Sequence, residues 1–173
     1  MNKKRIVLLV VIVLFIITFA AQIVMDDKYD GSTPESRQKI IARNIEGAVI
    51  CEELMIDGLM ISGYTYPGEN YGIAVFTEEG NGEYKFQSKF TRDKNNVIIA
   101  YAYLPDKTYN IFWANKPDMD FAEITYTAEV NGEDVTEIVT LDASDNKIIY
   151  HELKYNDVTI NAVFYDVYGN VYE

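Results

Sequence analysis

The chain has 173 residues, 27 acidic against 15 basic, for a formal net charge of −12, with one cysteine and one histidine. That balance repels nucleic acid and anionic headgroups, and the lone Cys51 and His151 exclude an internal disulfide or a zinc site built from such ligands. It suits a basic partner or bound cations, or serves solubility alone.

Lys3, Lys4 and Arg5 precede an almost wholly apolar run, Ile6 to Met25, which ends at Asp26-Asp27. At 1.5 Å per residue such a run spans about 30 Å, the thickness of a bilayer's hydrocarbon core. Cations before the span and acids after it predict a cytosolic tail over 1–5, a transmembrane anchor over 6–25 and an extracytoplasmic remainder. The alternative is a signal peptide cut at Ala20-Ala21, which leaves a secreted protein. The apolar run continues beyond that point through Ile23, Val24 and Met25, which favours the uncleaved, single-pass anchor. No cysteine lies near this boundary, so a lipid-modified N-terminus is excluded.

Residues 26–33 read as a polar stalk, and 34–173 as one extracytoplasmic β domain. Ser32 with Glu35 fits a capping box and Pro34 a first helical turn. Ile41, Ile45, Ala48 and Val49 then recur at helical spacing, with Arg37, Lys39, Arg43 and Asn44 mostly on the opposite side. A short amphipathic helix over about 34–47 is predicted.

The period then falls to 2. Tyr84, Phe86, Ser88 and Phe90 alternate with Lys85, Gln87 and Lys89. Ile124, Tyr126, Ala128 and Val130 alternate with Glu123, Thr125, Thr127 and Glu129, and Val158, Ile160, Ala162 and Phe164 repeat the pattern. Such alternation marks half-buried antiparallel strands, whereas the apolar runs Ile73–Phe76 and Val97–Leu104 suit central ones. Asp57-Gly58, Pro67-Gly68, Asn81-Gly82, Asn95-Asn96, Asn131-Gly132, Asp145-Asn146 and Gly169-Asn170 supply turns, several of them with the positive φ of tight hairpins. The fold class expected is mainly β: eight or nine strands in an antiparallel meander closing into a sandwich-like domain or open barrel. Asn81-Gly82-Glu83 recurs as Asn131-Gly132-Glu133, and Asn96-x-Ile98-Ile99 as Asn146-x-Ile148-Ile149. The offset is constant, consistent with two related halves or with shared turn formers.

Catalytic sets are scarce. No Gly-x-Ser-x-Gly elbow accompanies His151, which falls in a strand pattern, and no glycine-rich phosphate cradle is present. Glu52-Glu53 before Leu54 is the nearest approach to a carboxylate in apolar surroundings. Asp118-x-Asp120 and Asp142-x-x-Asp145-Asn146 gather oxygen ligands without the calcium-loop pattern, and read as polar turns. No cofactor, metal or nucleotide is expected. Cys51, beside Val49 and Ile50, reads as a buried apolar residue. Tyr64/Tyr66 and Tyr101/Tyr103 each share a strand face, as do Tyr109, Ile111 and Trp113. Exposed, such planes bind sugar rings or peptides; buried, they pack across strands.

The Lys-Lys-Arg start, the Ile/Tyr/Asn/Lys-rich body, the lone cysteine and the segment from Tyr71-Gly-Ile-Ala-Val-Phe to Tyr109-Asn-Ile-Phe-Trp-Ala-Asn resemble small single-pass extracytoplasmic β proteins of low-GC Gram-positive bacteria. That resemblance implies neither an activity nor site residues. The function expected is a membrane-anchored, non-enzymatic interaction or accessory module. A first alternative is a wall glycan- or peptide-binding module using Tyr64, Tyr66, Tyr101, Tyr103 and Trp113. A second is an acidic inhibitor or self-protection protein against a basic exported partner. The partners expected are the membrane, through 6–25, and an envelope protein or wall glycan, without nucleic acid.

Overall fold

The computed structural model describes residues 30–92, 97–155 and 157–172. The expected anchor at 6–25, its tail, the first half of the stalk (26–29) and the Asn95-Asn96 turn lie outside the described residues. Among the described residues no helix is long and apolar enough to cross a membrane. This part of the chain is mainly antiparallel β-sheet with one short helix.

Helix α1 runs Pro34–Asn44. Its N-cap is Thr33 rather than Ser32: Thr33 Oγ1 accepts the Ser36 N–H at 3.2 Å, and Ser36 Oγ accepts the Thr33 N–H at 3.3 Å. The box sits one residue later than the sequence suggests because Pro34 takes the first helical position, where its fixed φ fits and its missing N–H costs nothing. The helix stops short of 47 because Ile45 is extended, with φ −143°. Ala48 and Val49 therefore lie beyond it, Val49 opening the first strand. Arg37 also departs from expectation, lying on the buried face with Ile40 and Ile41.

Eleven strands follow among the described residues: β1 Val49–Ile56, β2 Leu59–Tyr66, β3 Asn70–Glu78, β4 Tyr84–Arg92, β5 Ile98–Tyr103, β6 Thr108–Trp113, β7 Met119–Val130, β8 Glu133–Asp142, β9 Ile149–Glu152, β10 Val158–Asp166 and β11 Val171–Tyr172. The count exceeds eight or nine in part because β11 has only two residues, too few for an alternation to show. They form three sheets, ordered β1-β2-β3-β4, β5-β6-β9 and β11-β10-β7-β8. Asp57-Gly58 and Asn131-Gly132 close two-residue hairpins, both residues of each at positive φ, the turn whose twist matches that of the strands it joins.

The sheets stack in layers. Ile40 and Ile41 of α1 cover Tyr64, Ala74 and Phe76 on the outer side of the first sheet. Its inner side, with Leu59, Ile61, Tyr71, Ile73 and Val75, packs on Ile98, Ala100, Ile111 and Trp113 of the second. The second sheet's other side, through Phe112 and Ile149, meets Ala122, Ile124, Tyr126 and Phe164 of the third. The middle strand β6 is thus covered on both sides, and its Tyr109–Trp113 are all buried. Val97–Leu104, expected to be central, instead forms the edge strand β5 with alternating burial. Its odd positions pass beyond the cover of the third sheet, so only Ile98, Ala100 and Ala102 are enclosed.

Close packing fixes two glycines. A Cβ on Gly63 would lie 2.8 Å from Trp113 Cη2, and one on Gly72 would strike the Tyr64 ring and the Phe90 carbonyl. Cys51 is exposed, not buried as its neighbours suggest. It is the extra residue of a β-bulge, since Ile50 pairs with Tyr64 and Glu52 with Gly63. A bulged residue leaves the pleat, so the period-2 count no longer tells which side it faces.

Candidate functional site

The five aromatic residues singled out from the sequence do not come together. Tyr64 lies under α1, and Trp113 fills the contact between the first and second sheets; both are fully buried. Burial pushes the Tyr64 hydroxyl pKa up, with a smaller contribution from Tyr66. Trp113 Nε1 donates to the Asn146 carbonyl at 2.9 Å, and its ring meets Tyr71 edge-on at 5.3 Å. Tyr66 is half-buried beside Tyr64. Tyr101 and Tyr103 stack on β5 at 6.3 Å, with Tyr103 57% exposed. Of the five, Tyr103 alone offers most of its ring to solvent.

Tyr101 leads inward to a polar group between the second and third sheets. The Tyr126 hydroxyl donates to Asn110 Oδ1 at 3.4 Å, and Asn110 Nδ2 donates to the Ala100 carbonyl at 2.9 Å. His151 stacks on Tyr126 at 5.0 Å, with Nε2 4.0 Å from Glu137 Oε2. Lys154 holds the other oxygen of Glu137. Burial lowers the His151 pKa, against the opposing pull of Glu137. Burial also raises that of Tyr126, helped by Glu137 and Tyr101. A neutral imidazole and a neutral phenol stacked face to face are a packing arrangement. No nucleophile stands within hydrogen-bond reach of His151 among the described contacts, as general-base chemistry requires.

A second group joins the first and second sheets. Asp57 Oδ2 accepts from the Tyr109 hydroxyl at 2.6 Å and from Lys107 Nζ at 2.8 Å, and Lys107 lies 3.6 Å from Glu152. The hydrogen bonds from Lys107 and Tyr109 lower the Asp57 pKa, while burial and Asp57 push Tyr109 up to about 12. Both carboxylates share the one ammonium, which makes this a clasp between sheets. Asp142, read as a polar turn, is one: its carboxylate accepts from Ser144 and Lys147, which lowers its pKa. Among the described residues no group of three or more His, Cys, Asp or Glu side chains is placed to hold a metal ion.

The surface least accounted for by packing is the outer side of the third sheet. The β7–β10 register sets Phe121 opposite Tyr165, and their rings stack at 4.5 Å and 15°. Tyr165 pairs with the exposed Val171, and Tyr168, 82% exposed, stands in the following turn. This apolar strip gives way to Thr125, Thr127, Thr136, Thr140 and Thr159 along the same side. Phe121 and Tyr165 were not singled out from the sequence. The available signal was parity, since both occupy the wet alternation of Glu123 and Asn161, where a large aromatic ring is out of place.

No protein-family model, curated protein or solved structure matches the chain.

Proposed function

We propose that this protein is a non-enzymatic interaction module, tethered by residues 6–25 with its sandwich-like β domain outside the cell membrane. The reading rests on one observation. The first sheet is covered by α1 and the second sheet, and the second by both neighbours. The third carries the Phe121–Tyr165 stack and Val171 on a side that nothing described covers, with the exposed Tyr168 in the adjoining turn. Apolar surface gathered in one strip, rather than scattered singly, marks a contact surface. The anchor is read from the 6–25 run and the flanking Lys3–Arg5 and Asp26-Asp27.

Orientation and contact are tested together. In a Cys51→Ala background, Tyr168→Cys places a thiol at the most open aromatic position. A membrane-impermeant maleimide should label it in intact cells; labelling only after lysis rejects the extracytoplasmic reading. A photo-crosslinking residue at 165 should then give discrete adducts to an envelope component, and adducts to none reject the contact strip. Adducts that sediment with purified wall would instead favour the glycan alternative, for which Tyr103 and the half-buried Tyr101 remain available.

A further inference from the structure

Sheet edges expose unpaired backbone N–H and C=O groups, and proteins ordinarily block them. Among the described residues, five of the six sheet edges are blocked or short. β1 is bulged at Cys51, and Gln38 from α1 accepts the Ile50 N–H at 2.8 Å. β4 is bulged opposite Val75/Phe76, carries Lys85 and Lys89, and has its Tyr84 carbonyl taken by the Gly31 N–H. The Tyr103 carbonyl of β5 accepts from Gln87 Nε2 at 3.1 Å. β9 has four residues and β11 two.

β8 is different. It has ten residues, pairs with β7 from Phe121↔Asp142 to Val130↔Glu133 without a register shift, and contains no proline, lysine or arginine. In a two-residue hairpin the pair beside the turn is hydrogen-bonded and the pairs alternate thereafter. The backbone groups of Thr136, Ile138 and Thr140 therefore point away from β7, and among the described residues none of them forms a backbone hydrogen bond. Val135 is 38% and Ile138 64% exposed along this margin.

The charge at the turn end of β8 shows the same incompleteness. Glu129 lies directly opposite Asp134 in register. With Asp157 they border an open depression of about 460 Å³, otherwise lined by Thr127, Ala128, Val158 and Thr159. Like charges directly opposite on a sheet are destabilising, and no basic residue lines this depression. Glu137 and Asp142, by contrast, already hold Lys154 and Lys147.

We infer that β8 is a strand-addition site for an extended basic segment of a partner protein, with that segment's cations seated against Asp134 and the facing Glu129. The inference rests on the interaction-module reading and names its partner class. Main-chain hydrogen bonds to Thr136, Ile138 and Thr140 hold the added strand; its side chains on one face meet Asp134 and Ile138, and those on the other cover Val135. A second copy is the wrong occupant, because β8 against β8 brings the same carboxylates into one shared margin.

The probe is a short peptide of alternating lysine and valine, titrated into the full-length chain in neutral detergent. Its twin carries N-methyl groups on alternate amides, which keeps the charge and removes the strand hydrogen bonds. The expected result is protection of the Thr136, Ile138 and Thr140 amides from exchange, with the twin bound at least about tenfold more weakly. Thr136→Pro should abolish binding, and Asp134→Asn should weaken it while leaving the fold at least as stable. Equal binding of the two peptides, or a dimer formed through β8 in sedimentation, overturns the proposal. In cells, a photo-crosslinker at position 138 should capture a basic protein. Adducts from position 165 but not 138 overturn strand addition and leave the interaction module standing; adducts from neither overturn both.

Discussion

Arg37 and Glu53 form a two-pronged ion pair beneath α1, Nε to Oε1 at 2.7 Å and Nη2 to Oε2 at 2.8 Å. Arg37 Nη1 also donates to the Gly31 carbonyl at 2.6 Å, and Ser62 donates to Glu53 Oε1 at 2.8 Å. Three segments, the helix entry, α1 and the first sheet, are tied through one guanidinium. Arginine's planar fork suits this role as a lysine could not.

Removing one partner of such a pair leaves the other desolvated and unpaired. Arg37→Ala should lower unfolding stability by about 3 kcal/mol, the low end for a buried pair because the Glu53 side chain is 25% exposed. Arg37→Met with Glu53→Leu should recover much of that loss. Urea denaturation measures both; a single-variant loss below about 1 kcal/mol would show the pair to be incidental. Burial alone would raise the Glu53 pKa, but hydrogen bonds from Arg37 and Ser62 and the Arg37 charge hold it below the ordinary glutamate value of 4.5. The unfolded chain then binds the proton more readily. This contribution is present above the unfolded value and is lost as pH falls through the folded one. Glu53→Gln should flatten that part of the acid limb.

His151 acts at higher pH. Its folded pKa lies below 6.5 because burial disfavours the imidazolium, so the unfolded chain takes up the proton first. Stability is full above 6.5 and declines as pH drops below it. The groups facing the ring are Tyr126, Glu137, Lys154 and Glu152. An NMR titration of the imidazole should give a midpoint below 6.5, and His151→Gln should remove this part of the pH dependence. A midpoint above 6.5 would mean that Glu137 outweighs burial.

Gly63 and Trp113 should be energetically coupled. Gly63→Ala forces a methyl against the indole and should cost about 1–3 kcal/mol. Trp113→Phe removes the atoms it strikes, while losing the hydrogen bond to Asn146. The double variant should therefore be more stable than the sum of the single losses allows. Strict additivity in a double-mutant cycle would refute the contact.

Gly132 separates backbone strain from packing. A Cβ there meets nothing within 4 Å, yet φ is +83°. Gly132→Ala should still cost about 1 kcal/mol, because an L-residue resists that conformation. Because the added methyl touches nothing, thermal unfolding of this variant reports on the backbone alone; an unchanged Tm would refute the assignment.

Alternation made the β class legible wherever a strand had one dry side, as in β7 and β10. It failed where the dry side was not constant. β6 is buried on both sides, so its sequence Thr-Tyr-Asn-Ile-Phe-Trp looks no more central than the edge strand β5. Arg37 was assigned to the wet face because charge normally stays in water, and only Glu53, distant in sequence, makes its burial tolerable. Cys51 escaped for a third reason, since a bulge breaks the count on which inside and outside depend.

The sequence by itself determined the antiparallel β class, the tight turns and the paucity of catalytic sets, because these follow from local chemistry: side-chain period, positive-φ residues and the residue types present. Tertiary structure decided that three sheets stack with β6 at the centre, that Tyr64 and Trp113 are packing residues, and that Phe121 and Tyr165 stack. It also decided that β8 is the long edge left open. Each of these depends on which distant strand lies alongside, and strand neighbours are chosen by the burial of whole faces, a quantity no short window of sequence contains.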